Sequence, residues 1–378
     1  MSKYTTLAGM DVHARSVTIR AAETETGETW GTTLTGNPSA AEVAGWLLAL
    51  PQPVYCAYES GCTGFHLARE LRALGVDCDV IAVSTLPRSQ RDRRRKCDRL
   101  DAAAILREMC NPKRDYTTVW VPDEATEAGR NLARACEQAS RALRRARQEL
   151  TSFLLTHGYV WDERTKSGGR RKAWTRAWWA WANALTFPER ADRLAFEHYA
   201  RAARRAEEEA AEMRRVVAGE CERPENRPYV DALTRVNGID VSTAYLARVE
   251  FGDFSRFRSG RRVSCWAGVV PSNGSSGERE AHGPITKGGN KYLRRRLVES
   301  VGTISCWRRT RKPPRDGAEV SGAVEAMAEA ANARLLGRYR HLTGRGKHAN
   351  KAKVAVVSEM ARWVWAIGLQ VQSELGAA

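Results

Sequence analysis

Asp11, Glu59, Asp98 and Asp101 are four acidic residues whose spacing could build one metal site. Asp11 falls at the end of the apolar run TLAGMDV (Thr6–Val12), and Glu59 directly follows VYCAY (Val54–Tyr58). Both runs read as buried strands. Asp98 and Asp101 stand three apart at the start of the helical pattern KCDRLDAAAILRE. That spacing puts both on one helical face, their Cβ atoms about 5–6 Å apart. The four acids meet if the two strands are neighbours and the helix packs across them. Carboxylates so gathered repel one another by about 4 kcal/mol per pair at ~4 Å and an effective dielectric near 20. Bound Mg²⁺ relieves that repulsion, and two such ions roughly 3.5–4 Å apart can clamp a phosphodiester during in-line displacement. Each acid alone has an ordinary role. Asp11 could cap a turn and Glu59 could pair with an arginine. Asp98 could be a helix N-cap, with Asp101 favoured by the helix dipole. As a set, with these placements, they favour the metal site.

The elements that must position them read as an α/β order. Strands are expected at Thr6–Val12, Ser16–Ala22 and Thr29–Thr35. A helix capped by Asn37-Pro38-Ser39 runs to about Leu50, followed by a strand at Val54–Tyr58 and a helix from about Phe65 to Leu74. The last strand is read at Cys78–Val83. Three strands followed by alternating helices and strands predict a mixed sheet. From Glu124 to His157 and from Pro188 to Val217 the pattern is helical and densely charged. These two segments fit an antiparallel coiled coil or two amphipathic helices of an ordinary bundle, and the residues leave that choice open. Trp174, Trp178, Trp179 and Trp181 recur at helical spacing, which favours a packed helix face over a base-stacking platform. CERPENRP (Cys221–Pro228) marks a composition boundary. The expected organisation is all-α after an α/β start: 1–120 the carboxylate domain, 121–225 a helical region, 226–316 a segment rich in Gly, Ser and Arg, and 317–378 C-terminal helices.

Bulk composition narrows the class of partner. Lys and Arg total 61 against 44 Asp and Glu, a net charge of +17 over 378 residues. So basic a chain points to a polyanion, and nucleic acid is the commonest. Nine cysteines without a CxxC pair argue against a disulfide framework and a zinc ribbon. The start MSKYTTLAGMDVHARS lacks a signal-peptide pattern, and no run approaching the roughly 20 apolar residues of a membrane helix is read. A soluble chain with no membrane partner is expected.

GMDVHARSVTI, YCAYESGCTGFHLARELRALG and KCDRLDAAAIL resemble the DEDD motifs of the insertion-sequence one-hundred-and-ten transposase family. The likeness runs from about Leu7 to Ile105 and resumes from about Leu233 to Val301. It implies a RuvC-like version of the RNase H fold for the first domain, a coiled-coil linker and a mainly helical transposase domain. It also implies a bridge-RNA-guided serine recombinase of a prokaryotic cytoplasm, associated with the nucleoid. The segment CWAGVVPSNGSSGEREAHGPITKGGNKYLRRRL resembles the family's transposase domain, in which a serine before glycine is the nucleophile. Alignment on Gly268 and Pro271 puts that serine at Ser276. The residues alone leave Ser275 and Ser276 open, and a Gly/Ser loop without chemistry is the plainer reading of them. Family logic makes Mg²⁺ on the four carboxylates the partner of a Ser276–DNA phosphoester. The implied partners are a guide (bridge) RNA, target and donor double-stranded DNA, and further copies of the chain as dimers and tetramers.

Two basic tracts flank these motifs. Arg91, Arg93, Arg94, Arg95 and Lys96 precede the carboxylate helix, and Lys287, Lys291, Arg294, Arg295 and Arg296 follow the serine loop. A charge run is usually a solvated face, but two runs beside two catalytic motifs favour nucleic-acid backbone contact. LTRVNGID (Leu233–Asp240) begins like a helix-hairpin-helix, yet Gly238 lacks the usual second glycine two residues on, so a plain helix turn fits equally. The competing function is a metal-dependent, junction-resolving nuclease that uses water as nucleophile and needs no serine loop.

Overall fold

The computed structural model describes residues 3–82, 98–111, 116–273, 282–307 and 313–377, with backbone alone at 98–100, 273 and 282. It divides into two compact units, Met1–Glu124 and Ala125–Ala378.

The first unit is the mixed α/β sheet that the strand pattern predicts. Strands β1 (Thr6–Val12), β2 (Ser16–Glu23) and β3 (Thr29–Thr35) form an antiparallel meander, followed by α1 (Ala40–Leu48), β4 (Val54–Glu59), α2 (His66–Ala73), β5 (Asp77–Ile81), α3 (Asp98–Cys110) and β6 (Thr118–Val119). The sheet order is β3-β2-β1-β4-β5-β6, with β4 parallel to β1 and β5 parallel to β4. Ser39 begins α1 through a full capping box: its hydroxyl accepts from the Glu42 N–H, and the Glu42 carboxylate accepts from the Ser39 N–H at 2.7 Å. One element departs from the sequence reading. β5 is not the last strand, because the two-residue β6 pairs antiparallel to its end. Two residues carry no period, so only the pairing defines them.

Side-chain alternation gives the sheet two buried faces. Ala8 and Met10 of β1 and Val54, Cys56 and Tyr58 of β4 pack with Val43, Leu47, Ala68 and Leu71 of α1 and α2. Leu7, Tyr55 and Ala57 turn the other way and pack with Ile81 and with Ile105 and Met109 of α3. Gly9 lies on this second face. A Cβ there would stand 2.5 Å from the Ala102 carbonyl oxygen and 2.5 Å from the Leu106 nitrogen, so only glycine admits the helix backbone so near the strand.

The second unit is almost wholly helical. It contains α4 (Glu124–Thr156), α5 (Arg176–Ala184), α6 (Arg190–Cys221), α7 (Arg227–Leu233), α8 (Val241–Phe251) and α9 (Gly260–Trp266). The hairpin β7 (Pro271–Asn273) and β8 (His282–Ile285) follows, then α10 (Lys291–Val301), α11 (Gly322–Gly344) and α12 (Ala349–Ala377). Helices α4 and α6 run antiparallel: Ala139 and Leu143 meet Ala210, and Leu150 and Leu154 lie with Phe196, Ala200 and Ala203. Alanine-rich contact faces let the two backbones approach closely. Trp178 is packed in the same cluster at 3% exposure, and Trp174, Trp179 and Trp181 pack against it partly buried. The foot of the helix pair, Ala133, Cys136, Val217 and Cys221, joins a single core that continues through α7–α10 to Val371 of α12. Residues 125–378 thus lie within one unit. Among the described residues, α12 alone is long and apolar enough to cross a membrane. Its Val356, Met360, Val364 and Ile367 sit in this core instead.

Candidate functional site

The sheet register brings two of the four acids together. β1 and β4 run parallel with Met10 opposite Tyr58, so the next residues along, Asp11 and Glu59, end adjacent strands side by side. Both follow the alternation of Leu7, Tyr55 and Ala57 and therefore belong to the face that α3 covers. Gly9 meets α3 between Ala102 and Leu106, and the later Ile105 and Met109 join Leu7 and Tyr55. The helix thus runs against the strand direction, and its first turn, with Asp101, lies toward the strand ends. Asp11, Glu59 and Asp101 are each partly buried. Asp11 pairs with His13, Nε2 to Oδ2 at 3.2 Å. Asp98 opens α3, and its side chain lies outside the described atoms.

All-oxygen carboxylate donors suit Mg²⁺. Strand register and helix direction bring three of the acids to one end of one sheet face. Among the described residues, no three His, Cys, Asp or Glu side chains close into a cage around an ion. The donor chemistry suits the cation, and Asp98 is the fourth carboxylate such a site would use.

Ser275 and Ser276 lie outside the described residues, as do Arg91, Arg93, Arg94, Arg95 and Lys96. The frame around the serine segment is described. Gly268 has φ +67, and a Cβ there would meet the Gly288 carbonyl oxygen at 2.0 Å. Arg294 Nη1 donates to the carbonyls of Ala267 (3.0 Å) and Gly288 (2.9 Å), tying the two chain segments together, and burial pushes its pKa down. Asn290 caps α10 by accepting from the Tyr292 and Leu293 N–H groups, and its amide donates to Glu250 at 2.7 Å. Glu250 is 1% exposed and accepts from Arg134 at 2.7 and 3.0 Å. Arg130 donates to the Val249 and Glu250 carbonyls at 2.8 Å each. Arg256 donates to the Phe251 carbonyl at 2.9 Å. Burial, with Arg130 nearby, pushes the Arg256 pKa down to about 9.

The second basic tract divides. Lys287 and Lys291 are exposed. Arg294 is the staple just described, while Arg295 and Arg296 face the buried Glu137 at 3.1 and 3.3 Å. The Gly238 turn is packed: a Cβ would meet the Ser300 carbonyl oxygen at 2.5 Å, and the Asn237 N–H donates to Asn332 Oδ1 at 2.7 Å. This is a helix-packing turn, the plainer of the two readings.

Comparison with known proteins is decisive for the family. Residues 230–315 match the model of the transposase IS116/IS110/IS902 family. The Sinorhizobium fredii protein y4qE, a transposase by its description, is 35% identical over 326 residues, covering 84% of this chain and 76% of that protein. The chain belongs to the IS116/IS110/IS902 transposase family. The transposase for insertion sequence element IS1533 of Leptospira borgpetersenii is 31% identical over 56% of this chain and 58% of its own length. The transposase for IS1328 of Yersinia enterocolitica is 25% identical over 85% and 86%. In this family member the matched segment spans α8, α9, the hairpin and α10, the elements that Glu250 and Arg294 join. Sequence reasoning missed both roles. Arg134 lies 116 residues from Glu250 and Asn290 lies 40, so no local spacing links them. Gly9, by contrast, carried a readable signal: a lone glycine in a buried strand marks close backbone approach.

Proposed function

We propose that this transposase is an RNA-guided DNA recombinase that excises and inserts its element through a serine–DNA intermediate. Its first unit is read as RuvC-like: the order β3-β2-β1-β4-β5, an antiparallel meander joined to two parallel strands, supports an RNase H-type fold. The observation that carries the reading is the register that ends β1 and β4 with Asp11 and Glu59 beside each other on the face that α3 covers with Asp101. Asp11, Glu59, Asp98 and Asp101 would hold Mg²⁺. The cation, when bound, supplies charge neutralisation at a phosphodiester. Asp11 is oriented in turn by His13.

In this reading Ser276 supplies the nucleophilic hydroxyl. Its Oγ forms a bond to phosphorus while the bond from phosphorus to the leaving deoxyribose oxygen breaks. The serine loses its proton, and the departing oxygen takes one up. Attack by the hydroxyl of a second strand reverses the step, so the ester bond is conserved without ATP. Arg294 and Asn290 hold the frame on either side of the serine segment. The exposed Lys287 and Lys291, together with the tract Arg91–Lys96, are assigned to backbone phosphates. Guide RNA and both DNA partners, assembly as dimer and tetramer, and a nucleoid-associated, cytoplasmic setting complete the proposal.

The test incubates full-length protein, guide RNA and labelled DNA with Mg²⁺, denatures the mixture and looks for DNA linked to protein. Wild type yields an adduct and Ser276→Ala does not. Normal cleavage and joining by Ser276→Ala would transfer the chemistry to water and favour a metal-dependent nuclease.

A further inference from the structure

The helix pair carries another basic feature, far in sequence from the carboxylates. An open cleft of about 640 Å³ runs along α4 and is lined by Arg144, Arg147, Gln148, Trp174, Arg214 and Arg296 among others. Among the described residues, no Asp or Glu lines it. Its α4 residues, from Ser140 through Arg144, Arg147, Gln148 and Thr151 to Leu155, recur every three or four positions and so form one straight stripe. The rise from Ser140 to Leu155 is roughly 22 Å at about 1.5 Å per residue. That length suits several consecutive phosphates better than one small anion.

The acids near these arginines leave donors to spare. Glu207 accepts from Arg147 Nη2 at 2.6 Å, Glu299 accepts from Arg144 Nη2 at 3.3 Å, and Arg296 pairs with Glu137 at 3.3 Å and Glu299 at 3.7 Å. Each guanidinium has five N–H groups, and a single carboxylate engages at most two. Among the described residues, the buried Arg147 Nε makes no hydrogen bond. Arg144 is half exposed and Arg214 is exposed. Trp174 adds an aromatic wall. It is held at φ +66, a conformation a bulky residue rarely adopts, and Arg147 stacks 4.9 Å from its ring centroid. Strained backbone of this kind persists where surrounding structure fixes a side chain in place, and it gathers at ligand-contacting sites.

We infer that this cleft is a binding site for a nucleic-acid strand, with successive phosphates along Arg144, Arg147 and Arg214 and a base edge or sugar against Trp174. RNA and DNA share that phosphodiester chemistry. The inference rests on the nucleic-acid partners proposed above but not on the carboxylates or Ser276.

Two exposed arginines allow a clean test. Full-length wild type, Arg214→Gln and the double variant Arg144→Gln/Arg214→Gln are titrated by fluorescence anisotropy with a labelled single-stranded RNA and with a labelled DNA duplex of the same sequence, across a salt series. Thermal melting of each protein serves as the fold control. For the strand type the cleft holds, the double variant binds at least tenfold more weakly at low salt. Its log–log salt slope falls by about 1.4–1.8, at about 0.7 per phosphate contact for single strands and 0.9 for duplex, with half that change in Arg214→Gln. The arm that responds names the strand. Unchanged affinity and slope in both arms, with melting intact, overturns the inference. Strand cleavage by wild-type protein is scored in parallel, so a failure of the catalytic reading registers separately from a failure of the cleft.

Discussion

Acidic side chains meet two contrasting fates in this molecule. Glu250 sits at 1% exposure in the helical unit, with Arg134 on both oxygens and Asn290 on one of them. Asp11 and Glu59 stand partly buried at neighbouring ends of adjacent strands, and Asp101 stands partly buried in the first turn of α3. A buried carboxylate with a full set of donors is a structural joint: removing it strands its partners in the core. Like charges brought together at a partly open edge cost stability and invite a cation. Where a protein tolerates that cost, the site is a candidate for chemistry, and where it saturates the acid, the acid is scaffold.

Substitutions that invert the two behaviours test the comparison. The largest effect is expected at the sheet. Asp11→Asn or Asp101→Asn abolishes Mg²⁺-dependent strand cleavage in a gel assay and leaves the melting temperature unchanged or raised, because a repulsion is relieved. A large drop in melting temperature for either variant would make these acids structural and erase the contrast. Next comes Glu250→Gln, which leaves Arg134 with a neutral partner inside the helical core. It should lower the unfolding free energy in urea by about 3 kcal/mol, the lower end for a broken buried pair because Arg134 is itself partly exposed.

Gly9→Ala links the two kinds of effect. Its methyl would stand 2.5 Å from the Ala102 oxygen and the Leu106 nitrogen, both backbone atoms, so α3 must shift. The expected stability cost is about 1–3 kcal/mol by denaturation, with a cleavage defect at temperatures where the variant is still folded. The smallest effect lies at the end of α4. His157 Nδ1 bonds to the Phe153 carbonyl at 2.9 Å, and Nε2 approaches Asp192 at 3.4 Å. The Phe153 carbonyl, with help from Asp192, raises its pKa above 6.5. A raised folded pKa means the contribution is present below pH about 6.5 and is lost as pH rises through the higher folded value. An NMR titration of His157 should show the raised midpoint, and Asp192→Asn should lower it. A midpoint at or below 6.5 in the wild type would contradict the assignment.

Periodicity made most of the first unit legible. Apolar runs and alternation placed β1 to β4 within a residue or so, and Ser39 announced α1 because its capping hydroxyl works through bonds only three residues long. The strand-end positions of Asp11 and Glu59 were legible because each follows a local strand pattern. β6 was not, since pairing with β5 alone creates it. The second basic tract was legible as charge but not as role: Arg294, Arg295 and Arg296 look alike in sequence, yet each is bonded within the helical unit.

By itself, then, the sequence determined which residues carry charge, which runs alternate and which glycine sits in a strand, because those depend on neighbours a few positions away. Only the tertiary structure decided that Asp11 and Glu59 end adjacent parallel strands on the face toward α3, that Glu250 is joined to Arg134 and Asn290, and that α4 offers one straight basic stripe. Each of those depends on contacts between residues tens to more than a hundred positions apart, and packing of whole elements, which no local pattern encodes, brings them together.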